Sequence, residues 1–117
     1  MILGVGIDAV SISRFKYYAR QIPNFTTRLF SSDELKLTRS QLAGNFSINE
    51  AFFKACPEAN RVNIASIKFL RDTYGKPFAE IYDFCGERVF SLIVHVSLTN
   101  MQDLVIASVV IETKFPK

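Results

Sequence analysis

The order of its patterns predicts an α+β fold: one N-terminal strand, then helices, then an antiparallel sheet. Three observations carry that expectation. The β-branched, apolar run MILGVGI opens the chain. Apolar residues at helical spacing fill the rest of the first half, and from Asn63 onward the period becomes that of strands.

Length and composition set the frame. At 117 residues the chain is expected to form one domain, 1–117, large enough for a true core. Hydrophobic residues make up 49% and phenylalanines number 11, so the interior should be aromatic-rich, while 21% charged residues argue against disorder. No apolar run reaches the roughly 18 residues of a membrane helix, so no membrane association is expected. Asp8 interrupts the short N-terminal apolar run, which also lacks the flanks of a signal peptide. Cys56 and Cys85 lack metal spacing and read as buried thiols of a reducing cytosol, a cytoplasmic setting. A net charge of +3 is a mild basic bias. The basic residues are not interleaved with aromatics in any recognisable module, which counts against nucleic acid as a partner.

Met1–Ile7 reads as a buried strand in which Gly4 and Gly6 signal close approach by a neighbouring backbone. Asp8 falls at its end, either as a turn or N-cap residue or projecting into a cleft. Ser11 or Ser13 caps a helix to about Arg20, with Ile12, Phe15 and Ala19 at helical spacing. Arg14, Lys16 and Arg20 line it, and Arg28 follows the Pro23–Asn24 break; such a row is a solvated face or a docking surface for an acidic protein. Ser31-Ser32-Asp33-Glu34 is a capping-box-like start to a second helix through Leu35 and Leu37.

The stretch Gly44–Ala55, GNFSINEAFFKA, is the centre of the chain. As a helix it is apolar almost all round, so it belongs in an interior. Glu50 and Lys54 stand one turn apart with Ser47 on the same wedge, and charges there must be paired, bound to a ligand or neutralised. Pro57 closes the helix. A strand near Ser66–Arg71, an Asp72-Thr73-Tyr74-Gly75 turn and a strand Phe78–Tyr82 make an antiparallel hairpin. Ser91–Leu98, a loop Thr99–Gln102 and the long strand Asp103–Glu112 complete the sheet.

Five segments, GVGIDAVSISRF, LFSSDEL, LAGNFSINEAFFKA, YGKPF and HVSLTNMQDLVIASVVIE, occur in order along the whole chain. Together they resemble the holo-acyl-carrier-protein synthases, the short trimeric group of phosphopantetheinyl transferases. The resemblance implies a reaction: the phosphopantetheine arm of coenzyme A moves to a serine of acyl carrier protein, in support of fatty acid synthesis. Attack of a hydroxyl on a pyrophosphate phosphorus needs a divalent cation, here Mg²⁺. By the same resemblance Asp8 and Glu50 match the metal-binding acids, and Lys54 matches a catalytic and phosphate-pairing lysine one turn beyond. The serine proton is expected to pass either to Glu50 or to a metal-bound water, a choice the sequence leaves open. Arg14, with Lys16, Arg20 and Arg28, matches the carrier-docking surface. Gly75, Lys76, Pro77, His95, Asn49 and Asn100 fall where the family meets coenzyme A. For Gly75-Lys76-Pro77 the plainer role is a turn, and for His95 a core or hydrogen-bonded residue.

The chain departs from the family at three places. Asn49 stands where a lysine usually precedes the glutamate, Asn100 stands where a second histidine usually ends the HVS segment, and Cys56-Pro57-Glu58-Ala59-Asn60 replaces a glycine-rich turn. Two fewer cations weaken the hold on a pyrophosphate. The rival reading is therefore a weakened relative that binds carrier protein or coenzyme A without efficient transfer.

Overall fold

The computed structural model describes residues 1–56, 66–82 and 92–113. Its elements are β1 (Ile2–Ser11), α1 (Ile12–Gln21), α2 (Phe25–Leu29), a 3₁₀ turn (Glu34–Lys36), α3 (Arg39–Ala55), β2 (Ser66–Arg71), β3 (Pro77–Tyr82), β4 (Leu92–Met101) and β5 (Leu104–Thr113). The α+β expectation holds. Among the described residues β1, β5 and β4 form an antiparallel sheet in that order, and β2 and β3 form a separate hairpin.

Helix α3 lies across one face of the sheet. It starts a turn earlier than Gly44, because Thr38 and Gln41 form a reciprocal cap: Gln41 N donates to Thr38 Oγ1 at 3.2 Å and Thr38 N donates to Gln41 Oε1 at 2.9 Å. On β5 the alternation is strict, with Val105, Ala107, Val109 and Ile111 buried, the last three against α3 residues Ile48, Ala51, Phe52 and Ala55. A second cluster gathers Phe15, Phe30, Leu42, Ala43 and Val105, with Phe25 and Phe46 at its edge. The expected close approach is at Gly4 and Gly6: a Cβ there would overlap the carbonyl oxygens of Ala55 and Ala51.

Several expectations are corrected. β1 runs on to Ser11, so Asp8 sits inside a strand, opposite Ala107. The helix expected from Ser31 is only a 3₁₀ turn. Ser31 and Glu34 do cap one another, yet Glu34 is just 2% exposed and is drawn inward by Asn45, whose Nδ2 donates to Glu34 Oε2 at 2.9 Å and to the Phe69 carbonyl at 2.8 Å. A five-residue helix, α2, carries Arg28 instead, entered through Asn24 at φ 59°. Helix α3 is not apolar all round: Glu50, Phe53 and Lys54 form an exposed stripe, with Phe53 at 52%. Strand β4 continues to Met101, so the loop expected at Thr99–Gln102 contracts to Gln102–Asp103. Cys56 is buried as expected. Cys85 and residues 57–60 lie outside the described residues. Among the described residues no helix is long and apolar enough to cross a membrane.

Candidate active site

The glycine contact brings α3 so near β1 that one wedge of the helix bonds directly to the strand. Buried Ser47 donates its hydroxyl to the Asp8 carbonyl at 3.0 Å. Two turns on, Lys54 Nζ donates to the Ile7 carbonyl at 3.0 Å and to Asp8 Oδ1 at 3.1 Å. The ammonium therefore pairs across the interface with Asp8, and the within-helix Glu50–Lys54 pair is replaced by that contact. Glu50 is exposed, one turn below.

Asp8 and Glu50 line one cleft of about 530 Å³, together with Arg14 and an aromatic wall of Phe15, Tyr18, Phe25 and Phe46. The two acids come from different elements, the strand and the helix, which is why their spacing of 42 positions is invisible locally. Among the described residues no three His, Cys, Asp or Glu side chains cluster. Two carboxylates on one cleft are a donor set that fits Mg²⁺, which keeps several waters and needs only one or two carboxylates. Arg14, Arg20 and Arg28 are exposed and Lys16 half-buried.

A second cleft, about 430 Å³, lies between the N-terminal turns of α3, the β2–β3 turn and β4. It is lined by Gly75, Lys76, Pro77 and Asn100, and also by Ser40, Tyr74, Ser97 and Arg71. Its turn is built by Asp72, whose Oδ1 accepts from Tyr74 N and Lys76 N, each at 2.9 Å, with Gly75 at φ 81°. Arg71 escaped sequence reasoning, since nothing in its spacing distinguishes the last residue of a strand. Its Nη2 donates to the Gln41 carbonyl at 3.4 Å, while Nη1 is buried without a hydrogen-bond partner. Burial pulls the guanidinium below its ordinary pKa and the nearby Glu34 carboxylate acts the other way.

The remaining residues do not join these clefts. Asn49 is half-buried and lines neither. His95 is not a core residue. Period-two alternation sends Val94, Val96 and Leu98 inward and leaves His95 exposed, with Nε2 3.0 Å from Glu112 Oε1. That hydrogen bond holds the Glu112 carboxyl below its ordinary range.

The pattern of the 4′-phosphopantetheinyl transferase superfamily matches residues 4–109. A holo-[acyl-carrier-protein] synthase of Latilactobacillus sakei is 32% identical over 121 residues, spanning 96% of this chain and 98% of that protein. The acyl carrier protein synthase of Mycobacterium tuberculosis superposes with a TM-score of 0.71 at 27% identity, covering 97% of this chain and 99% of that one. The Helicobacter pylori holo-[acyl-carrier-protein] synthase, solved in complex with coenzyme A, superposes at 0.68 with 25% identity, over 92% and 99%. The sheet and the helix across it are thus those of a transferase fold. The chain belongs to the 4′-phosphopantetheinyl transferase superfamily, and within it to the holo-[acyl-carrier-protein] synthases.

Proposed function

We propose that this protein moves 4′-phosphopantetheine from coenzyme A to a serine of apo acyl carrier protein, with Mg²⁺, releasing adenosine 3′,5′-bisphosphate. The observation that carries the reading is the convergence of Asp8 and Glu50 on one cleft with Lys54 bonded to Asp8. Asp8 and Glu50 would hold the cation, which supplies charge neutralisation to a pyrophosphate. Lys54 pairs with phosphate oxygens and with the charge that develops on the leaving phosphate. Glu50 is exposed in the same cleft, and in this reading it would accept the serine proton. Arg14 on the cleft wall, with Lys16, Arg20 and Arg28, offers cations to an acidic carrier protein. The second cleft offers Lys76, the Gly75–Pro77 backbone, Asn100 and Arg71 to coenzyme A.

A homotrimer is part of this reading. The sheet face away from α3 is open, with Val5 64% and Ile7 63% exposed beside Val110 and Ser108 on β5. Exposed β-branched residues on a sheet face favour burial against another copy. Packing there would let one subunit's second cleft complete the carboxylate cleft of its neighbour. We place the reaction in the cytoplasm, in fatty acid synthesis.

Incubation with coenzyme A, Mg²⁺ and apo carrier protein, followed by mass spectrometry of the carrier, tests the proposal. Gain of one phosphopantetheine, abolished by EDTA, is the expected result. Binding of coenzyme A without any mass gain would instead favour the weakened relative.

A further inference from the structure

We infer that Asp103, in the turn between β4 and β5, is a positioning residue for carrier-protein docking. Its part is to clamp the start of α1 and so fix the direction in which Arg14 is presented. The inference rests on the transfer reaction proposed above.

Four hydrogen bonds converge on this one residue. Asp103 Oδ2 accepts from Ser11 Oγ at 2.7 Å and from Ser13 Oγ at 2.6 Å. Oδ1 accepts from Ser13 N at 2.9 Å, and the Asp103 carbonyl accepts from Ile12 N at 2.8 Å. The helix's own cap is the longer contact: Ser11 Oγ accepts from Arg14 N at 3.2 Å and lies 3.2 Å from Ser13 Oγ. The first amides of α1 are therefore satisfied mostly by a residue some ninety positions away. A carboxylate there also meets the positive end of the helix dipole. Along its length α1 has one fully buried side chain, Phe15, with Ile12 partly buried beside it, so its packing is concentrated on a few residues and the clamp adds to it at the first turn. Arg14 follows the clamp directly, is exposed, and lines the carboxylate cleft.

A second effect of Asp103 has the opposite sign, which makes the idea testable. Its negative charge sits near Lys16 on the basic face of α1. If charge alone mattered, Asp103→Asn and Asp103→Ala would both improve docking of an acidic partner, by a small amount because exposed charges are screened. If positioning matters, docking worsens, and more in Asp103→Ala, since asparagine keeps one acceptor for Ser13 N.

The experiment is steady-state transfer with apo carrier protein and coenzyme A varied in turn, using wild type, Asp103→Asn and Asp103→Ala. We expect the Michaelis constant for carrier protein to rise about fivefold in Asp103→Ala, the scale of a lost helix cap, and less in Asp103→Asn. The turnover number and the constant for coenzyme A should stay within about twofold, which also shows that the variants are folded. Wild type that transfers while both variants leave the carrier constant unchanged, lower it, or raise both constants alike overturns this inference and leaves the reaction standing. Wild type that transfers nothing overturns the reaction, and this inference with it.

Discussion

Lys54 reaches past its own helix to Asp8, with Nζ 3.1 Å from Oδ1, so a cation occupies one oxygen of a proposed metal ligand before any metal arrives. With side-chain exposures of 57% and 17% the pair is screened and contributes only about 0–1 kcal/mol to stability. Lys54→Met should therefore barely move the melting temperature. It should tighten Mg²⁺ binding to the free protein severalfold, through removal of the competing charge, while transfer falls. Calorimetric titration with Mg²⁺ decides; metal binding that is unchanged or weaker in the variant would mean that Lys54 does not compete with a metal for Asp8.

Glu50→Gln keeps the shape and removes the charge of a side chain exposed in the cleft. Turnover should drop by roughly a hundredfold or more, with an unchanged denaturant midpoint. Turnover near that of wild type would remove Glu50 from the site.

Gly6→Ala drives a methyl group into the Ala51 carbonyl oxygen, a backbone atom that cannot swing aside. The variant should lose on the order of 3 kcal/mol or more and, because Asp8 and Ser47 meet across the same interface, activity should fall with it. Urea unfolding gives the first number; a stable variant would contradict the close approach of α3 to β1.

Asn100→His returns a cation to the cleft that already holds Lys76 and Arg71. An imidazole beside a phosphate has its pKa raised, so the gain is full at low pH and fades as pH climbs through that raised value. Coenzyme A should bind about fivefold tighter near pH 6 and like wild type near pH 8. A pH-independent change would show that the ring does not meet a phosphate.

Asp103 supplies a pH signature of its own. Hydrogen bonds from the Ser13 and Ser11 hydroxyls and from Ser13 N–H hold its carboxyl below the ordinary aspartate range. The native value is depressed, so the contribution to stability is complete above the unfolded-state value near 4 and is lost as pH falls through the native one. Asp103→Asn should flatten that part of the acid limb in urea titrations run downward from about pH 5. An acid limb parallel to that of wild type would show that the carboxylate is not held this way.

Local signals were legible and long-range ones were not. The β2–β3 hairpin was readable because its turn carries its own chemistry in Asp72 and Gly75, and β2 falls where Ile67 and Phe69 put it. Gly4 and Gly6 announced a backbone neighbour, but not that it would be α3. In the sequence apolarity stops at Asp8 and marks a strand end, whereas the ladder with β5 continues to Ser11 opposite Leu104. The pattern around Glu34 is that of a helix start, and its capture by Asn45 depends on α3 packing nearby. Asp8 and Glu50 stood out by residue type and resemblance, yet the partner of Lys54 and the presence of Arg71 in a cleft follow only from the fold.

The pairing of β1 with β5 has a consequence for how the chain reaches this state. Ile2 is registered against Glu112, and β5 is the middle strand, so neither outer strand has a sheet to join until the last-made strand is available. Such pairings carry high contact order, and the loop entropy must be overcome before they give any return. During synthesis α3 would emerge with its buried face uncovered, waiting on some sixty further residues, a stage at which exposed Phe52 and Ile48 invite aggregation. Refolding should be slow for a domain of this size, and truncation within β5 should abolish the sheet as a whole.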